Sequence, residues 1–212
     1  LDKRSTLLIQ TAKTLNAKYS GQVKNLLQIS NGFLKNNKTG LYYLLQDFIA
    51  FADPLRKKST VFIQLATNAN LYKIKDLESI EPVMEYHMQR LLLRTGCVEI
   101  TDEVLRKSLR DKKPLSSDRE IRNACGEASR LIAQQAKKNF FELDEILWSL
   151  GRSCCEAKTL CADKQCNRQP CTFFSFIELP EHNHCILEGA CKGYTDLSYR
   201  SYWQPNVSTI YY

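Results

Sequence analysis

Seven of the nine cysteines lie beyond residue 153, and they begin directly off an apolar helical run, Leu147-Trp148-Ser149-Leu150-Gly151-Arg152-Ser153. Cys154, Cys155, Cys161, Cys166, Cys171, Cys185 and Cys191 then crowd a tail with little apolar periodicity. A tail of that kind has no core of its own to hold it. A metal, a cluster or disulfides must supply the cross-links instead. Ahead of it runs a long body containing only Cys97 and Cys125, both inside helical patterns and read as buried hydrophobes. A secreted disulfide framework spreads its bridges over a small domain with little core, so this asymmetry favours an intracellular metal or cluster site.

At 212 residues the chain can bury one core, or one core with a small appended module. No apolar run approaches the roughly 20 residues of a membrane helix. The opening Leu1-Asp2-Lys3-Arg4-Ser5 does not read as a signal peptide. The expected setting is therefore intracellular, in the cytoplasm or with the nucleoid or nucleus, and without a membrane partner. The net charge is +7, but residues 151–212 hold six Lys/Arg against six Asp/Glu, so the excess lies in the body. Arg106, Lys107, Arg110, Lys112 and Lys113 form the densest basic group. A basic helical body suits an anionic partner, nucleic acid first. A solvated basic surface accounts for the same charge.

Helical periodicity runs almost throughout, and no stretch alternates as a strand, which predicts an all-α fold. Leu7, Leu8, Thr11, Leu15 and Tyr19 predict a first helix stopped at Gly21. A second carries Val23 to Leu34 and closes at the Asn36–Gly40 turn; a third, capped by Thr39, carries Leu41 to Ile49 with apolar residues nearly all round it. Asp53-Pro54 is the expected start of a helix through Leu65, and Glu81-Pro82 of one through Leu92 that ends at Gly96. Ser117 and Glu120 read as a capping box for a long helix to about Lys138, and a last helix runs from Leu143 into the cysteines. The expected division is a helical body over 1–153 and a cysteine-rich loop with an aromatic tail over 154–212.

Cys155, Cys161, Cys166 and Cys171 are separated by gaps short enough to turn four thiolates to one centre, as a [4Fe–4S] cluster requires. Zinc would accept the same ligands, although its sites more often use CxxC pairs and this chain has none. Gly151-Arg152-Ser153-Cys154-Cys155, coming off an apolar helix and followed by spaced cysteines, resembles the iron–sulfur loop of the endonuclease III branch of the helix–hairpin–helix DNA glycosylases. That family has a G-R-x-x-C approach and C-x6-C-x2-C-x5-C spacing. With Cys155 as first ligand the approach matches and the first gap is one residue short; with Cys154 the gap is restored and the approach shifts.

Upstream, Pro82-Val83-Met84-Glu85-Tyr86-His87-Met88-Gln89-Arg90 is similar to the family's V-D-x-H-x-x-R helix start, with Glu85 in place of the catalytic aspartate. Asp53-Pro54-Leu55-Arg56-Lys57-Lys58-Ser59-Thr60-Val61-Phe62 resembles the D-P…K-T-x-x-F stretch of the archaeal 8-oxoguanine glycosylases. That likeness implies Lys58 as nucleophile, with Lys57 its rival. The matches cover about residues 50–172. The hallmark L-P-G-x-G hairpin is missing, because Leu71–Ile80 contains no glycine.

The resemblance implies a glycosylase-like helical domain with a structural [4Fe–4S] cluster, or zinc, on Cys155 (or Cys154), Cys161, Cys166 and Cys171. It implies DNA N-glycosylase and abasic-site lyase chemistry on double-stranded, damaged DNA. Lys58 would attack C1′ of a flipped nucleotide, and Glu85 would stabilise positive charge on the sugar. Lys57, His87, Arg90 and Arg94 are the implied nucleic-acid contacts. Each has a plainer alternative: solubilising lysines, a helix-dipole partner for Glu85, and a hydrogen-bonded structural His87. The alternative for the whole chain is a non-catalytic nucleic-acid-binding protein of the same fold. His182, His184, Cys185 and Cys191 form a second possible metal set, and the aromatic residues from Tyr194 to Tyr212 could stack on unpaired bases or pack the tail.

Overall fold

Carboxylates and amides that collect backbone N–H groups start α-helices at Glu85, Asp102 and Asn139, and left-handed residues end others at Asn31, Gly96 and Lys137. The computed structural model describes residues 2–166, 170–177 and 183–211. Among them are twelve α-helices, two 3-10 turns and no strand, so the fold is all-α. None of the described helices is long and apolar enough to cross a membrane.

The chain divides into two compact units, one of residues 1–83 with 209–212 and one of residues 84–208. In the first unit, α1 (Asp2–Tyr19) ends at Ser20 and Gly21, both with positive φ. The second helix, α2 (Val23–Ser30), is shorter than its apolar pattern predicts, because Asn31 and Gly32 both turn left-handed. Phe33 and Leu34 therefore leave the helix. Gly32 has no room for a side chain, since a Cβ would lie 2.8 Å from the Lys73 carbonyl oxygen.

Only Leu41–Leu45 of the third predicted helix is α-helical (α3), followed by a 3-10 turn at Ile49–Phe51. Its cap position is Gly40, and the Thr39 hydroxyl bonds back to Asn36 instead. The apolar reading of this segment holds in packing terms: Leu41, Tyr42, Leu44, Leu45 and Phe48 are buried. The Asp76 carboxylate accepts the backbone N–H groups of Leu34 and Lys35 at 2.8 and 2.9 Å, which pins the 71–80 segment, with its 3-10 turn at Leu77–Ser79, to the irregular chain after α2. The next helix, α4 (Lys57–Asn68), starts three residues after Pro54.

The second unit is built around α5 (Tyr86–Thr95), buried without a break from His87 to Arg94. The helix starts at Glu85, after Pro82, and stops at Gly96 with φ +80°. Around it pack α7 (Arg119–Ala136) and α8 (Phe140–Ser153), with α6 (Glu103–Arg110) at the edge. The core runs through Met88, Leu91, Leu92, Leu109, Cys125, Leu150 and Phe173. Cys125 is buried as expected, whereas Cys97 is exposed just past the end of α5. Short helices α9 (Leu160–Asp163), α10 (Thr172–Phe176), α11 (Lys192–Thr195) and α12 (Leu197–Arg200) carry the cysteine-rich end. The capping box lies at Asn139 and Glu142 of α8; Ser117 accepts only from the Arg119 N–H, and Asp118 precedes α7.

Candidate functional site

A helix buried on all sides must satisfy every polar group it carries, and α5 carries Gln89, Arg90 and Arg94 inside the core. Arg90 is 0% exposed. Its Nε donates to the Cys155 carbonyl at 2.8 Å, and its Nη2 donates to the Gly151 carbonyl at 2.8 Å and meets His87 Nδ1 at 3.0 Å. Nη1 donates to Gln204 Oε1, and the Glu156 carboxylate lies 3.5 Å from Nη2. One turn on, Arg94 donates to the carbonyls of Tyr202 (2.8 Å), Cys155 (3.0 Å) and Glu156 (2.8 Å). Both guanidiniums stack on Trp203, at 4.7 and 5.7 Å, and Lys112 caps the same ring at 4.2 Å.

The two arginines thus clamp the start of the cysteine loop and the C-terminal tail onto α5. Burial pushes the Arg90 pKa down, assisted by the like charge of Arg94 and opposed by Cys155, Glu156 and Glu85. Offered as DNA contacts by the resemblance, these side chains are turned inward here. The same holds for His87, which is buried against Arg90.

Gly151 is the residue that lets α8 approach. A Cβ there would stand 2.8 Å from the His87 carbonyl oxygen and 3.3 Å from the His87 Cβ. Gly151→Ala is expected to cost about 1–3 kcal/mol of stability by urea unfolding, through overpacking against backbone. A neutral result would mean that α8 can shift at no cost.

Glu85 is the N-cap of α5. Its Oε1 accepts from the N–H of His87 (2.8 Å) and of Met88 (3.2 Å), and the residue is 3% exposed. Both expectations for it, a carboxylate at a helix N-terminus and a dipole partner, describe this geometry.

The cysteines gather beyond the clamp, with no disulfide among them. Cys154 faces Cys171, its hydrogen-bond partner, and lies near Cys166 and Cys185; its burial pushes the thiol pKa well up. Cys155 and Cys161 lie near Cys185 and Cys191. Burial pushes Cys185 up to about 11, countered by the Leu187 N–H on its sulfur. Among the described residues no three His, Cys, Asp or Glu side chains converge as on a single ion. His184 faces Glu188 at 3.6 Å, while His182 lies outside the described residues.

Lys57 and Lys58 belong to the first unit, Glu85, His87, the arginines and the cysteines to the second. The two lysines open α4. Buried Asp53 holds the turn before them, its Oδ1 accepting from Leu55 N–H (3.1 Å) and its Oδ2 from Lys57 N–H (3.0 Å). Arg56 adopts φ +58° and lays its guanidinium over the Tyr42 ring at 4.8 Å. Lys58 is half-buried, with Nζ 2.5 Å from the Ile210 carbonyl. Desolvation lowers its pKa, the Lys57 charge lowers it further, and Asp53 opposes both.

Two features escaped the sequence reading. One is a groove between α2 and the 71–75 segment, where Lys24, Lys73 and Lys75 rim the apolar Val23, Leu27 and Leu71. Its signal was the Asn31-Gly32 pair, which breaks α2 and admits the later segment. The other is that part of the basic group on and just after α6 is internally paired, Arg106 with Glu103 (2.9 Å) and Lys113 with Asp111 (3.7 Å). The aromatic tail packs in part: Tyr202 is buried, Trp203 is stacked under cations, and Tyr212 lies outside the described residues. No protein-family model, curated protein or solved structure matches the chain.

Proposed function

We propose that the protein binds double-stranded DNA and acts on damaged or abasic nucleotides through Lys58, as a helical protein of the helix–hairpin–helix glycosylase kind with a [4Fe–4S]-organised tail. The observation that carries this reading is the state of Lys58. An amine attacks only when unprotonated, and this one is desolvated, beside a second lysine, and at the positive end of a helix. The rigid turn under Asp53 presents it, and the Lys24, Lys73 and Lys75 groove of the same unit offers phosphate neutralisation without a glycine hairpin.

In this reading the neutral amine adds to the C1′ aldehyde of an abasic deoxyribose. The C–N bond forms, the carbonyl oxygen leaves as water with the two amine protons, and an imine links Lys58 to DNA. The cysteines fit a cluster by donor chemistry, being soft sulfur ligands with a guanidinium donor beside Cys155. Zinc suits the same donors. When bound, the group would cross-link the tail and take no part in this step.

Borohydride reduction of the imine should trap a covalent adduct on abasic or 8-oxoguanine DNA, reduced to background in Lys58→Ala and retained in Lys57→Ala. Absence of an adduct, or one indifferent to Lys58→Ala, sinks the proposal. The pH profile has a definite sign. Below its lowered pKa Lys58 is protonated and inert, so trapping rises with pH and levels off before the usual lysine range. Lys57→Gln removes one of the charges that lower this pKa and should move the profile to higher pH. Glu85 supports a second reading, a non-catalytic nucleic-acid-binding protein, because its carboxylate is buried and occupied in capping α5.

A further inference from the structure

We propose that a basic pocket of the second unit binds a phosphate monoester, carried by a free nucleotide or standing at the end of a nucleic-acid strand. It goes beyond the reading built on Lys58, which belongs to the first unit. A cavity of about 330 Å³ opens where the turn after α6, the start of the cysteine loop and α12 meet, with Arg94, Lys112, Lys158, Arg200 and Trp203 in its walls. Small-ligand sites span roughly 300–1,000 Å³, and this one lies at the lower end.

Arg94 is the buried member, 4% exposed. Its Nε and Nη1 are engaged by the carbonyls of Tyr202, Cys155 and Glu156. Its Nη2 has no hydrogen-bond partner among the described residues, yet it is not sealed from solvent. A guanidinium held by three carbonyls and bare on its remaining nitrogen is a pre-organised donor for an oxyanion. Lys112 is fixed as well. It turns left-handed at φ +57° just past α6, its carbonyl accepts from Asn206 Nδ2 at 3.1 Å, and its Nζ stands 4.2 Å from the Trp203 ring centroid. The Arg94 guanidinium shares that ring at 5.7 Å. Gly193 brings Arg200 to the same place. A Cβ there would lie 2.9 Å from the Arg94 carbonyl oxygen and 3.3 Å from Arg200 Cα, so glycine lets α12 seat against the end of α5.

None of Arg94, Lys112, Lys158 and Arg200 has a carboxylate partner among the described residues. Asp163, the one acid among the described residues of the lining, pairs with none of them. Like charges gathered in this way repel, and an anion bound among them relieves the repulsion. A phosphate monoester suits the site because it carries about −1.5 to −2 at neutral pH and offers three terminal oxygens. A carboxylate or a backbone diester brings less charge. Ala157, Ala162 and Leu197 leave room and an apolar wall for the organic group.

Isothermal titration calorimetry of the full chain with AMP and with adenosine tests this, alongside one oligonucleotide bearing either a 5′-phosphate or a 5′-hydroxyl. Stoichiometric binding of AMP but not adenosine is expected, weakened by about 10-fold or more in Lys158→Gln and in Arg200→Gln. Preference for the phosphorylated oligonucleotide, lost in the same variants while AMP stays silent, identifies the strand end as the source instead. Ala157→Leu keeps every charge and should abolish binding by filling the cavity. Lys107→Gln, on α6 and outside the pocket, should leave affinity unchanged. Lys158 and Ala157 are exposed, so their variants decide the question should Arg200→Gln fail to fold. The proposal is overturned if neither phosphorylated probe binds better than its unphosphorylated counterpart. It is equally overturned if Lys107→Gln weakens binding as much as Lys158→Gln, since diffuse charge then accounts for the affinity.

Discussion

Arg90→Ala is expected to lower the unfolding free energy by about 3–5 kcal/mol, the loss seen when one partner of a buried charge network is removed. The size follows from what the guanidinium leaves behind. The Gly151 carbonyl and the half-buried Gln204 side chain would lose their donor, and the Cys155 carbonyl would keep only Arg94, around a cavity left by a side chain with no exposure to water. Each stranded buried acceptor costs about 1–3 kcal/mol. Arg90→Lys should recover little, because an ammonium is a point donor and cannot reach groups spread around a planar fork. Stacking on Trp203 would go as well. Chemical denaturation of both variants measures this, and a loss below about 1 kcal/mol would class Arg90 with surface ion pairs.

Arg90 also shows where reading the sequence stops. The i, i+4 spacing of Arg90 and Arg94 was visible, and so was the apolar face of the helix around them. That the helix is buried on its polar side too was not, since burial there comes from α8 and the cysteine loop, which are distant in sequence. Positive charge in a basic body reads naturally as a phosphate contact, and only tertiary packing turns it inward.

Helix content was legible because apolar spacing in 3.6 steps survives in a single sequence. Boundaries were less so. Val23 to Leu34 keeps its apolar period past the break at Asn31 and Gly32, and the Asp53 and Glu81 signals each preceded the true helix start by several residues. In both cases proline follows the acid, and the chain stays extended or turned before helix begins. The helix α6 was hidden by its own charge, its basic residues drawing more notice than its amphipathic spacing. Among the cysteines, short gaps pointed to the contiguous run. The neighbourhood of Cys155 with Cys185 and Cys191 depends on a chain reversal that no spacing encodes.

Asp53→Ala should couple stability to the reactivity of Lys58. Its carboxylate is 2% exposed and receives two backbone N–H groups that have no other acceptor within the turn. Leaving both unmade costs about 2–4 kcal/mol on the usual scale for buried donors. Asp53→Asn keeps one accepting oxygen and loses the other, so it should fall near the middle of that range. The turn sets where α4 begins, hence where Lys58 projects, and a misplacement of about 1 Å is enough to cost roughly 100-fold in a positioned reaction. Borohydride trapping should therefore fall in Asp53→Asn although the lysine is intact and, without the nearby carboxylate, held lower in pKa. If charge alone governed Lys58, the same variant would trap faster at neutral pH. The direction of that change separates positioning from electrostatics in one measurement.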